Sequence, residues 1–341
     1  MGRAAKWLLA AAAGAVLLAV ASGAATWYAW RALNAPLALE ERTWLEVPSG
    51  SPLRRVSERL AERGLLARPW LLTAYGRVTG QATRIHAGEY ELVPGTTPVS
   101  LLDQLVAGQV YLHQITVVEG ARFADFLAAL RSHPAVTATT LTPEEIMAEL
   151  GQPGVHPEGQ FFPDTYRFPR GTRDIDVLRT AHDAMQRRLQ EAWEARADNL
   201  AVQTPYEALI LASIIEKETG LAAERPLIAG VFHERLRRGM LLQTDPTVIY
   251  GLGDRFDGNL RRRDLEADTP YNTYVRRGLP PTPIALPGAE SLAAAVAPAA
   301  TDALFFVASG RGDGSHVFSA TLEEHNRAVR ALIERTAELQ Q

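Results

Sequence analysis

Leu211-Ala-Ser-Ile-Ile-Glu-Lys-Glu-Thr-Gly220 places a carboxylate, Glu218, on the apolar face of a helix at the point where that helix stops. Leu211, Ile214 and Ile215 precede it by seven, four and three residues, the offsets that stack side chains on one helical face. Glu218 therefore projects where the core packs. Glu216 lies roughly 200° away around a helix of 3.6 residues per turn, so the two glutamates cannot aim at one atom. Glu216 and Lys217 read as the solvated or structural side of the turn. Gly220 is the expected C-terminal stop, which sets Glu218 in the last turn. Partial desolvation and the negative end of the helix dipole both disfavour the anion, so both raise the pKa of Glu218. A carboxyl that keeps its proton near neutral pH is a candidate general acid. A paired core glutamate is the alternative that this helix alone leaves open.

The neighbouring segments are helical too. Val177 to Ala195 carries Val177, Leu178, Ala181, Met185, Leu189 and Trp193 as one amphipathic stripe. Tyr206 to Thr219 is apolar almost all round, the pattern of a helix buried in mid-domain. Arg225 to Arg237 turns Leu227, Ile228, Val231, Phe232 and Leu236 inward. Further upstream, three segments repeat an extended stretch, a Gly-containing turn and an amphipathic helix: Trp44 to Gly50 with Pro52 to Arg63, Tyr90 to Gly95 with Pro98 to Ala107, and Ile115 to Gly120 with Phe123 to Arg131. The fold class is α+β, with a small α+β domain over 40–133, a Pro- and Gly-rich connector over 134–158 and a mainly helical domain over 159–341. The run Gly159-Gln-Phe-Phe-Pro-Asp-Thr-Tyr166 reads as a hydrophobic hinge, with stacking on sugar faces as the other use of such rings.

From Trp7 to Trp30 no residue is charged, and 24 residues make a helix of roughly 36 Å, enough to cross a bilayer. Arg3 and Lys6 precede this span and Glu40 and Glu41 follow it, which favours residues 1–6 in the cytoplasm, a single transmembrane anchor over 7–30 and an exported remainder. Trp27, Tyr28 and Trp30 fit an interfacial belt. The small residues Ala-Ser-Gly-Ala at 21–24 also suit a cleaved signal peptide, but the apolar stretch runs past them, so the anchor is preferred.

Composition narrows the chemistry. Among 341 residues there is no cysteine, hence no disulfide, thiolate nucleophile or Cys-ligated metal. Lysine occurs only at positions 6 and 217, which leaves no phosphate-binding Gly-Lys-Ser/Thr loop. A formal net charge of −4 with interleaved signs is not a nucleic-acid footprint. No metal or cofactor motif is present, and none is expected.

Downstream of the central helix, Leu242-Gln-Thr-Asp-Pro-Thr-Val-Ile-Tyr-Gly251 opens a short helix. Asp245 before Pro246 has the form of an N-cap, and the cap and a catalytic role are both open to it. Gln243 and Thr244 lack an obvious structural task and are candidates for hydrogen bonds to a substrate. In Thr269-Pro-Tyr-Asn-Thr-Tyr274, Tyr271, Asn272 and Tyr274 are further binding candidates, although Tyr274 also suits a core anchor. Leu279-Pro-Pro-Thr-Pro-Ile284 is a rigid loop in which one X-Pro bond is a candidate for the cis form. His316 reads as structural.

The strand-turn-helix segments resemble the LysM module, which binds chains containing N-acetylglucosamine; a packing domain without ligand is the alternative. Four motifs in order, Ala212-Ser-Ile-Ile-Glu-Lys-Glu-Thr219, the run 242–251, Tyr271-Asn-Thr-Tyr274 and Gly278-Leu-Pro-Pro281, resemble the MltG (YceG-like) family of endolytic murein lytic transglycosylases. The resemblance implies a lysozyme-like catalytic domain with Glu218 as the catalytic residue. It also implies cleavage of the β-1,4 bond between N-acetylmuramic acid and N-acetylglucosamine, leaving a 1,6-anhydro end, in an enzyme of the cell (inner) membrane that acts on peptidoglycan strands and works beside peptidoglycan synthases. A non-catalytic peptidoglycan-binding scaffold and a water-using muramidase are the alternatives.

Overall fold

The computed structural model describes residues 3–339, with side chains over 7–337. It begins with one 32-residue helix, α1 (Arg3–Asn34), whose segment Trp7–Asn34 is long and apolar enough to cross a membrane, with its most apolar stretch unburied by the protein. The flank 1–6, expected on the cytoplasmic side, lies outside the described side chains. The aromatic belt has cationic partners: the Arg31 guanidinium lies 5.5 Å from the Trp27 ring and that of Arg68 lies 4.9 Å from Tyr28.

The chain forms two units. The first runs up to His113 and includes Phe168–Arg170; the second takes Gln114–Arg167 and the chain from Gly171 onward. In unit 1, β1 (Thr43–Val47) leads to α2 (Leu53–Glu62) and α3 (Pro69–Val78), then to β2 (Gly88–Leu92) and α4 (Pro98–Ala107). The strands are antiparallel, with Thr43 opposite Leu92 and Val47 opposite Gly88. Alternation turns Leu45, Val47, Tyr90 and Leu92 onto the apolar faces of α2 and α4, where Leu53, Val56, Leu60, Leu101, Leu102 and Leu105 complete the core. Leu33 and Leu37 join it, so the end of α1 is fastened to this unit. Between the first two repeated segments the structure adds α3, whose Gly76 has a purpose in packing. A Cβ there would lie 2.3 Å from Leu53 Cδ2.

The third repeated segment, expected in the small domain, instead enters unit 2. After β3 (His113–Thr116), which straddles the division, Phe123 of α5 (Phe123–Ser132) stacks on Phe161 at 4.9 Å and Phe126 on Tyr166 at 6.2 Å. The boundary thus falls near residue 113 rather than 133, because the apolar face of α5 is satisfied by the run 159–166. Those rings are core rather than an exposed stacking platform.

Unit 2 continues through β4 (Val136–Thr137), α6 (Pro143–Glu149), β5 (Thr165–Phe168) and β6 (Thr172–Arg173), with β4 and β6 parallel. Then come α7 (Asp174–Glu194), α8 (Pro205–Glu218), α9 (Arg225–Arg237), α10 (Asp245–Leu252), α11 (Arg262–Glu266) and α12 (Ala289–Val296). An antiparallel hairpin, β7 (Phe305–Ala308) and β8 (His316–Ser319), precedes α13 (Leu322–Leu339). α8 is central, packed by α7, α9, α10 and α12. Leu209, Leu211, Ala212, Ile214 and Ile215 have no exposed surface, as a helix apolar all round requires. Every peptide bond among the described residues is trans, including those of the proline loop 279–284.

Candidate active site

α8 begins with Thr204, whose hydroxyl accepts the Glu207 N–H at 3.2 Å, followed by Pro205 at the first helical position. It ends at Glu218. Thr219 turns the chain out in an extended conformation (φ −145°, ψ 138°), one residue before the glycine expected to stop it. The two glutamates separate by role as well as by angle. Glu216 keeps only 6% of its side chain exposed and accepts the Gly288 N–H at 2.9 Å and the Ser291 hydroxyl at 2.7 Å, both at the start of α12, with the Arg225 guanidinium at 3.4 Å. It fastens α12 to α8. Glu216→Ala leaves these donors without an acceptor and is expected to lower stability by about 2–3 kcal/mol in urea unfolding.

Glu218 faces a cleft of about 420 Å³ shared with Gln243, Thr244, Asp245 and Tyr274. Thr244 is 2% exposed, and its hydroxyl donates to Glu218 Oε1. Two further hydroxyl residues lock that donor in place. The Thr244 N–H donates to Thr273 Oγ1 at 3.1 Å, the Thr247 hydroxyl donates to the Thr244 carbonyl at 2.8 Å, and the Thr247 and Thr273 hydroxyls lie 2.9 Å apart.

The cap of α10 corrects the sequence reading. Thr244 is the N-cap and Asp245 the first helical residue, and the cap hydroxyl makes no bond within its own helix because it is committed to Glu218. The Asp245 carboxylate is exposed in the cleft and accepts the Tyr274 hydroxyl at 2.6 Å. Gln243 adopts φ 51°, a left-handed conformation that costs a non-glycine residue about 1–3 kcal/mol. Its N–H donates to the Thr273 carbonyl at 3.1 Å.

Burial raises the Glu218 carboxyl to about 7; the Thr244 hydroxyl opposes the rise, the Asp245 carboxylate adds to it, and His316 and Arg235 oppose it. The acid therefore holds its proton to far higher pH than an ordinary carboxyl.

Tyr271 and Asn272, expected to contact substrate, line no part of this cleft. Asn272 is 0% exposed; its Nδ2 faces the carbonyls of Asp264, Leu265 and Ala267 at 3.1, 3.0 and 2.7 Å, and its Oδ1 accepts the Tyr274 N–H at 2.9 Å. Its amide is spent on shaping the 264–274 turn. The Tyr271 ring packs edge-on against Tyr250 at 4.9 Å.

Arg235, Phe305, Phe306 and His325 complete the cleft, and sequence reasoning singled out none of them. Buried Arg235 donates to the carbonyls of Leu304 at 2.6 Å and Leu242 at 2.8 Å and lies 5.1 Å from the Phe305 ring. A signal existed: Arg235 follows Val231 and Phe232 by four and three residues, the same apolar-face placement that selects Glu218. His325 stacks on Phe305 at 5.3 Å, and burial pushes its pKa down. Among the described residues no group of three or more His, Asp or Glu is placed to hold a metal ion.

Fold and site together define an α+β protein led by one apolar helix, with a cleft built around a proton-holding glutamate. The chain belongs to the YceG-like family, whose sequence pattern matches residues 45–331, as the four motifs led one to expect. The endolytic murein transglycosylase of Bacillus subtilis is 32% identical over 303 residues, covering 83% of each chain. That of Streptococcus pneumoniae serotype 2 is 26% identical over 318 residues, covering 83% of this chain and 57% of the relative. The crystal structure of a YceG-like protein from Listeria monocytogenes superposes with a TM-score of 0.53 at 27% identity, covering 85% of this chain and 99% of that one.

Proposed function

We propose that this protein is an endolytic peptidoglycan lytic transglycosylase, held at the cell membrane by α1, with Glu218 as its catalytic acid and base. The observation that carries this reading is a carboxyl raised to about 7, fixed by Thr244 on the wall of a cleft. The names of its relatives supply the substrate class. Protonated Glu218 gives its proton to the glycosidic oxygen as the bond from that oxygen to the muramic C1 breaks. The C6 hydroxyl oxygen of the same sugar then bonds to C1, and its proton passes to the Glu218 carboxylate. The acid is regenerated, no water is consumed, and a 1,6-anhydro end remains. One carboxyl suffices because the sugar supplies the nucleophile, where most glycosidases need a second carboxylate. Gln243, Thr244, Asp245 and Tyr274 are the binding residues in this reading. Unit 1, with its β1-α2-α3-β2 order, is read as a LysM-like holder of the strand. Anchoring near new strands raises the local concentration of substrate and favours work beside peptidoglycan synthases.

Asp245 supports a second reading. A carboxylate in the same cleft could activate water, which would make the enzyme a muramidase. Digestion of purified glycan strands, with product ends identified by mass spectrometry, separates the two. Anhydro ends are expected; reducing ends would establish hydrolysis, and no new ends a binding scaffold. Asp245→Asn is expected to slow cleavage by about tenfold or less with anhydro ends retained, whereas loss of a water-activating base costs about a hundredfold or more.

The pH dependence follows from the same carboxyl. The acid form is lost as pH rises through about 7, so kcat/KM is expected to fall above that point. Thr244→Val removes a bond that favours the anion, so the alkaline limb should move to higher pH. A limb that stays in place or moves down in that variant would separate Glu218 from the titration.

A further inference from the structure

We infer that a second cleft in unit 2, lined by Gln160, Gln186, Tyr206 and Thr282, binds N-acetylated sugar units of the glycan strand away from the point of cleavage. The inference rests on the proposed glycan substrate and deepens it. This cleft encloses about 590 Å³ against about 420 Å³ around Glu218. Its lining holds no Asp, Glu, Lys or Arg. Its one histidine, His156, accepts the Glu158 N–H through Nδ1 at 3.2 Å, which leaves the proton on Nε2, and burial pushes its pKa down. A phosphate or a peptide carboxylate finds no cation here, so the occupant is neutral.

The polar groups present ask for an acceptor. Gln160 is 4% exposed; its Oε1 accepts from Gln186 Nε2 at 3.3 Å, but its own Nε2 has no acceptor within the described protein. Buried amide groups are rarely left so. Nε2 lies beneath the cleft surface, and a turn of the Gln160 amide brings it to the acyl oxygen of an acetamido group; Tyr206, Pro205 and Pro281 offer the apolar walls against which a sugar ring rests. Tyr271 supports this wall from behind: its hydroxyl donates to Thr282 Oγ1 at 2.8 Å, and Thr282 in turn donates to the Pro283 carbonyl at 2.8 Å. Tyr206 lies in the first turn of α8 and Glu218 in the last, about 18 Å apart along the helix. A sugar held at Tyr206 is therefore not the one being cleaved.

The test uses the full chain in detergent micelles in the Glu218→Gln form, titrated calorimetrically with tetra-N-acetylchitotetraose and with cellotetraose, which lacks acetamido groups. The acetylated tetrasaccharide is expected to bind at least about tenfold more tightly, and Gln160→Leu and Tyr206→Leu are each expected to weaken it by about tenfold. Tyr206→Leu keeps the test alive if Gln160→Leu fails to fold. Equal affinity for both tetrasaccharides, or unchanged affinity in the folded variants, overturns the inference. A neutral stem peptide that displaces the tetrasaccharide would overturn it as well. Loss of affinity in both variants, beside a Glu218-intact protein that makes no new glycan ends, leaves the second cleft standing and removes the proposed reaction.

Discussion

Glu218→Gln is expected to lower glycan cleavage by about a thousandfold, the scale of a lost general acid, in a protein that still folds and binds strands. Glutamine keeps the volume and accepts the Thr244 hydroxyl but has no proton to give. The same substitution has a stability signature. Folded Glu218 titrates at about 7 against an ordinary 4.5, so the wild-type protein loses stability as pH rises from 4.5 through 7. Glutamine does not ionise. The variant should therefore unfold near the wild-type midpoint at pH 4 and be more stable by about 1–3 kcal/mol at pH 8. Product counting by mass spectrometry and thermal unfolding at the two pH values check the two halves. Cleavage within tenfold of wild type would take Glu218 out of the chemistry, and a destabilised variant at pH 8 would contradict its burial as an acid.

Asn272→Ala is expected to cost about 2–4 kcal/mol and to lower the unfolding midpoint by about 5–10 °C, because three carbonyls and one N–H lose a buried partner together. The effect reaches the site through chain neighbours. Thr273 carries the hydroxyl that fixes Thr244, and Tyr274 carries the one that meets Asp245. Cleavage should fall with the loosened 264–274 turn, not through a missing sugar contact. A substrate-binding Asn272 would instead weaken strand affinity at an unchanged unfolding midpoint, so calorimetry of glycan binding beside thermal unfolding distinguishes the two.

Glu158 shows why a raised carboxyl alone does not define an active site. It is 4% exposed, and burial raises it to about 7 as well, yet it accepts the Phe123 N–H at 2.9 Å at the start of α5 and lines no part of the Glu218 cleft. Glu158 is absorbed by a helix terminus, whereas Glu218 faces open space with a hydroxyl donor on one oxygen.

Much of the helical unit was legible because helical periodicity is local. The spacing of Leu211, Ile214, Ile215 and Glu218 selected the acid, and α9 was read at Arg225–Arg237, the bounds the structure gives. The same offsets from Val231 and Phe232 contained Arg235. Turns were less legible. Asp-Pro is a strong cap signal, yet the cap is Thr244, because a side chain 26 residues earlier claims its hydroxyl. Asn272 looked available because a polar residue in a turn looks exposed until the strand of chain beside it is known.

By itself the sequence determined the apolar leading helix, the helices α7 to α10 of unit 2, the placement of Glu218 on a core-facing stripe and the family. Each of these follows from side-chain spacing within a few turns or from motif order. Only the tertiary structure decided that Thr244, rather than Asp245, meets Glu218, and that Arg235, Phe305 and His325 share its cleft. It also removed Asn272 and Tyr271 from that cleft. The physical reason is that burial and hydrogen-bond partnership at α8, α10, the 264–274 turn and the C-terminal hairpin arise from packing between segments far apart in the chain, which no local pattern encodes.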